Sequence, residues 1–146
     1  MKTGLSINQK RLAVILVIVA IVFSVVIYYS YVWLPSVQSG KKGYQDVTVE
    51  QAKELIRNTT GLVILDVRTF DEFNSGHIEG AMCIPINTLQ ENISKLDPQS
   101  YILVYCGTGT RSAQASTILA NNGFRHVYNM LGGLTAWKAA NNTVVQ

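Results

Sequence analysis

The sequence predicts an α/β domain on a mainly parallel sheet of about five strands, with helices on both faces, preceded by one membrane-spanning helix. Three observations carry this. The runs "LVILDV" (62–67) and "YILVY" (101–105) are continuous and apolar, as strands buried on both faces are. Segments with helical periodicity and capping signals alternate with such runs, which is the pattern of βα units. Residues 12–34, "LAVILVIVAIVFSVVIYYSYVWL", hold no charge and are long enough to cross a bilayer core as a helix.

Taken in order, residues 1–11 form a basic flank with Lys2, Lys10 and Arg11. The span 12–34 ends in Tyr28, Tyr29, Tyr31 and Trp33, which suit the headgroup region, and Pro35 stops the helix. Residues 35–43 read as a polar linker, and residues 44–146 as the folded domain. Thr48 and Gln51 form a capping box before "VEQAKELIRN", whose Ala52, Leu55 and Ile56 share a face. Thr69 and Glu72 form a second capping box over a short helix. "AMCIPI" is a short strand ended by Pro85. "TLQENISKL" (88–96) reads as one amphipathic helix with Leu89, Ile93 and Leu96 inward. A helix runs from Arg111 to Asn121, with Gly123 just beyond its end. "HVYNM" (126–130) is a last strand and "LTAWKAA" a last helix.

Charge separates the two parts. Residues 1–43 hold five Lys/Arg and no acid; residues 44–146 hold seven Lys/Arg and nine Asp/Glu, so +5 and −2 make the net +3. The basic balance belongs to the flanks of the span, and the domain lacks the clustered cations of a nucleic-acid partner. A removable signal has an apolar core of roughly 7–15 residues and a small-residue cleavage site. This run is longer and "SVQSG" is a weak site, so a retained single-pass anchor is expected. Either way the domain lies on the extracytoplasmic side, and the basic amino-terminal flank agrees with that orientation.

The chemistry concentrates after "YILVY". Cys106 stands at the carboxyl end of a strand, where ligands bind in open α/β sheets. Gly107, Thr108, Gly109 and Thr110 are small, and two glycines allow backbone N–H groups to turn inward as an anion-binding nest. The next helix N-terminus and Arg111 add positive charge. Each favours a thiolate, the nucleophilic form of cysteine. The plainer alternative is a small buried residue at the start of a glycine-rich turn. Cys83 could bridge Cys106, resolve an intermediate formed on it, or simply fill the core. The two histidines and two cysteines match no metal template, so no metal is expected.

Three stretches, "LDVRTFDEFNSGHIEGAMCIPI", "CGTGTRS" and "GFRHVYNMLGGLTAWKAA", in this order and spacing, resemble the single-domain rhodaneses, over about residues 44–141. The resemblance implies a sulfurtransferase that needs no cofactor and moves sulfane sulfur from a small donor to a thiol or cyanide. It implies that Cys106 is the persulfide-forming cysteine, that Gly107 to Arg111 cradle substrate, and that Ser112 opens the helix. Asp66, Arg68, His77, Gly132, Gly133 and Trp137 match its scaffold motifs; an internal Asp66–Arg68 ion pair and a structural hydrogen bond from His77 are expected. Four residues separate Cys106 from Arg111, one fewer than in the related phosphatases, which favours a sulfur atom over a phosphate. The loop between them carries no charge, so affinity for the thiosulfate dianion should be modest and persulfide or polysulfide donors are live alternatives. A quiet membrane-tethered binding or redox-sensing module is the reading from another class.

Overall fold

The computed structural model describes residues 7–33 and 42–146. The basic flank through residue 6, Leu34, the Pro35 stop and the linker through residue 41 lie outside them. The chain divides into two compact units, Met1–Gly40 and Lys41–Gln146.

The first unit holds helix α1, Ile7–Trp33. It starts upstream of the uncharged run and takes in Lys10 and Arg11. Mean hydropathy from Arg11 to Tyr28 is 2.8, and those side chains are exposed. A helix apolar around its whole circumference has no polar face to turn to water. By length and composition it can cross a membrane, a test that signal sequences also pass.

The second unit is built on five parallel strands: β1 (Gln45–Val47), β2 (Val63–Asp66), β3 (Met82–Cys83), β4 (Tyr101–Tyr105) and β5 (His126–Met130). Their order is β1-β5-β4-β2-β3, so β4 is the middle strand. Register pairs Asp66 with Tyr105 on one side and with Cys83 on the other. Successive side chains on a strand point to opposite faces. Ile102 and Val104 therefore pack with Leu119 and Ala115 of α5 (Thr110–Asn121) and Leu89 of α4 (Leu89–Asn92). Leu103 and Tyr105 pack with Ala52 of α2 (Val49–Asn58) and Leu134 and Trp137 of α6 (Gly133–Ala139). Burying each such aliphatic side chain contributes about 1.5–3 kcal/mol, so the sandwich holds β4 rigidly and fixes the point from which the next loop departs.

Both capping boxes form. Thr48 and Gln51 close the first turn of α2, and Thr69 and Glu72 that of α3 (Phe70–Asn74). Residues 88–96 are not one helix. A 3-10 turn at Ile86–Thr88, the four-residue α4 and a second 3-10 turn at Ile93–Lys95 replace it. The Asn92 side chain donates to the Thr88 carbonyl at 2.9 Å, and Leu96 N–H donates to Ile93 only three residues back. Such local bonds compete with helix propagation. Leu89 and Leu96 are still buried, and Ile93 packs partly buried against them.

Candidate active site

Because β4 is buried from Ile102 to Tyr105, the chain leaves the sheet at one fixed point, and Cys106 is the first residue beyond it. Gly109 turns the chain at φ +102° and caps α5. The positive φ favours glycine here, and a Cβ would also stand a tight 3.2 Å from the Gly132 nitrogen. The turn aims the Gly109 N–H at the Cys106 sulfur, 3.1 Å away.

The first two carbonyls of this stretch are taken by α6, and the Gly109 carbonyl accepts from Ala113 of α5. Leu134 N–H donates to the Cys106 carbonyl at 2.7 Å and Thr135 N–H to the Gly107 carbonyl at 3.0 Å. This close approach leaves no room for a side chain at Gly133, whose Cβ would lie 2.7 Å from the Gly107 carbonyl carbon. The first turn of α6 thus satisfies the Cys106 and Gly107 carbonyls, while the Gly109 N–H faces the thiol.

Cys106 is 1% exposed. Burial alone would raise its pKa. Hydrogen bonds from the Ser112 N–H and hydroxyl, then from the Gly109 and Thr108 N–H groups, outweigh burial and hold it below the ordinary 9.0. The Ser112 hydroxyl also lies 3.0 Å from the Gly109 carbonyl; with one hydrogen it serves one acceptor at a time. The sequence-derived loop residues Gly107, Thr108, Gly109, Thr110, Arg111 and Ser112 are brought together around Cys106, with Thr110 as the first residue of α5.

Arg111 is arranged differently from the open fork expected of it. Its Nη1 and Nη2 donate to Glu72 Oε2 and Oε1, each at 2.7 Å. These bonds raise the Arg111 pKa, the nearby Cys106 sulfur adding to the effect. They hold Glu72 down at about 2. Glu72 Oε2 also accepts from the Thr69 N–H and hydroxyl, so the capping carboxylate of α3 doubles as the partner of the loop arginine.

The scaffold expectations are met. Arg68 Nε donates to both oxygens of Asp66, and Nη2 to Oδ2 at 2.6 Å, with both residues buried. Arg68, just past the end of β2, also donates to the Glu72 and Gly76 carbonyls, which ties α3 to the sheet. The His77 ring nitrogen Nδ1 makes a 3.1 Å hydrogen-bond contact with the Phe73 carbonyl, and the residue also pairs its backbone with Val145 and stacks on Phe73. Trp137 Nε1 donates to the Thr143 carbonyl.

Cys83 and Cys106 are free thiols. Cys83 aligns with Asp66, which aligns with Tyr105, so two strand spacings of roughly 4.8 Å separate Cys83 from the row that Cys106 continues. That exceeds the span of a disulfide. Burial, with the charge of Asp66, pushes the Cys83 thiol up to about 11, opposite to Cys106.

Residues 48–140 match the model of the rhodanese-like domain. A thiosulfate sulfurtransferase GlpE of Coxiella burnetii is 35% identical over 100 residues, covering 68% of this chain and 92% of its own. Thiosulfate sulfurtransferase 18 of Arabidopsis thaliana is 39% identical over 118 residues, covering 70% and 85%. The crystal structure of a rhodanese-related protein from Thermoplasma volcanium superposes with a TM-score of 0.64 at 30% identity, covering 70% of this chain and 98% of that one. The family model covers more than half of the chain and the sequence and fold likenesses fall on the same unit, so the chain belongs to the rhodanese-like domain family.

Proposed function

We propose that this chain is a sulfurtransferase that carries sulfane sulfur on Cys106. The observation that carries this is the cradle itself: a buried thiol whose pKa is lowered by N–H groups of its own loop and by Ser112. In the first half-reaction the Cys106 thiolate attacks the outer sulfur of the donor. The new S–S bond forms as the donor's bond breaks, and its electron pair leaves on sulfite (from thiosulfate) or on a thiolate (from a persulfide). Gly107 to Thr110 supply N–H donors for the terminal sulfur of the resulting persulfide, and the α5 N-terminus adds its partial charge. In the second half-reaction an acceptor thiolate or cyanide takes that sulfur and the Cys106 thiolate is regenerated. Residues 1–11 and 12–34 serve as basic flank and single-pass anchor, residues 35–43 as linker, and residues 44–146 as a domain on the extracytoplasmic side. The length of the apolar run and the basic flank before it support that placement.

Turnover of thiosulfate and cyanide to thiocyanate by the detergent-solubilised full chain tests the activity. Formation that is lost in Cys106→Ser is expected; a folded chain with no turnover from thiosulfate or any persulfide would leave a quiet binding module instead.

A further inference from the structure

Arg111 is the sole cation of the segment 106–112, and the carboxylate holding it is itself fixed. Glu72 Oε2 accepts from both the N–H and the hydroxyl of Thr69, and its backbone carbonyl accepts from Arg68. The 2.7 Å contacts take one N–H each of Nη1 and Nη2, the end-on pair of the guanidinium that could otherwise grip an oxyanion. With Cys106 ionised, the thiolate and Glu72 outweigh Arg111, and the site is net negative before any donor arrives.

We propose that Glu72 is a specificity-determining residue: by occupying the Arg111 fork it sets the site against dianionic oxyanion donors and in favour of persulfide sulfur, R–S–SH. This rests on the sulfurtransferase reading of Cys106. A thiosulfate dianion must displace the Glu72 carboxylate from that pair or bind beside it against its charge. A persulfide has no oxyanion to hold and needs only the loop N–H groups around its sulfur. The step balances: the Cys106 thiolate bonds to the outer sulfur, the donor S–S bond breaks, R–S⁻ leaves with the electron pair, and the proton stays on the transferred sulfur.

Glu72→Gln separates this role from the helix cap. Gln51 caps α2 from the equivalent position, so a glutamine keeps the α3 capping box while removing the charge. The full chain in detergent is compared with Glu72→Gln on thiosulfate and on the persulfide of 2-mercaptoethanol. The ratio of thiosulfate KM to persulfide KM should fall about tenfold, the size of one charge-assisted hydrogen bond. Adding Arg111→Ala to the variant should cancel the fall. An unmoved ratio, with sulfur transfer intact, overturns the Glu72 assignment alone. Transfer from neither donor by the unsubstituted chain overturns the sulfurtransferase reading and this proposal with it. A second measurement is independent of the variant: inorganic sulfate, at ionic strength matched with chloride, should not inhibit persulfide transfer by the unsubstituted chain. Competitive inhibition by sulfate would mean that the fork is open and would overturn the proposal.

Discussion

The N–H of Gly109 and the sulfur of Cys106 stand 3.1 Å apart across a turn that only a glycine at φ +102° makes easily. The contact comes from the left-handed residue that also caps α5, so the geometry that starts the helix also solvates the thiolate. Ser112 contributes one turn further on, through its N–H and its hydroxyl. Sulfur loading should therefore rise with pH along the thiolate fraction, with a midpoint below 9.0. Ser112→Ala should move that midpoint upward and slow loading several-fold near neutral pH. Iodoacetamide alkylation of Cys106 across pH, in a Cys83→Ser background, measures it directly; an unmoved midpoint would remove the Ser112 hydroxyl from the cradle, its N–H being kept in the variant. Linkage gives a second readout. The folded value lies below the unfolded one, so thiolate formation adds stability that is full above 9.0 and lost as pH falls through the folded value. Relative to Cys106→Ser, the chain should gain stability as pH rises through that window.

Gly133 is the closest approach of α6 to the cysteine loop. At φ +56°, with its Cβ direction blocked by the Cys106 carbonyl oxygen and by Gly107, alanine must push the two segments apart. Gly133→Ala should cost about 1–3 kcal/mol and lower sulfur loading further than the stability loss explains. Thermal unfolding of the domain transition together with loading kinetics tests this; a variant equal to the parent in both would mean that the clamp is loose.

Asp66 and Arg68 are buried together, so removing one strands the other. Arg68→Leu should cost about 3–5 kcal/mol, whereas Asp66→Leu with Arg68→Leu should recover part of the loss. Urea unfolding of the two variants decides it. A double variant as unstable as the single one would mean that the Arg68 bonds to Glu72 and Gly76, not the charge pair, supply the stability.

The Glu72 carboxylate titrates at about 2, against the usual 4.5. Its stabilising contribution is full above 4.5 and lost as pH falls towards 2. Melting temperature should drop across that interval, and Glu72→Gln should flatten the drop. Parallel acid limbs in the two proteins would mean that the pair with Arg111 does not stabilise the fold.

Most of the sheet and the candidate nucleophile are legible in the sequence because their signals are local. β2 and β4 are apolar runs, the capping boxes are four-residue patterns, and Cys106 lies between a strand and a helix. β1 carries no such signal: Gln45–Val47 is a three-residue edge with one buried side chain, held by pairing to β5 rather than by its own pattern. The broken helix at 86–95 escapes a sequence reading because amphipathic spacing cannot tell α from 3-10 turns over so short a segment. The Glu72–Arg111 pair escapes it for another reason. The partners lie 39 residues apart, and the capping box already accounts for Glu72 locally. The one clue is an arginine on an otherwise uncharged loop, whose balancing charge the sequence does not locate.

Intact mass of the detergent-solubilised full chain, after exposure to thiosulfate or a polysulfide and removal of excess reagent, reads the intermediate itself. The unsubstituted chain should gain one sulfur atom, lose it on addition of cyanide, and show no gain in Cys106→Ser with Cys83 still present. An equal, cyanide-sensitive gain in Cys106→Ser, or no gain in the unsubstituted chain with either donor, would contradict the assignment of Cys106 as the sulfur carrier.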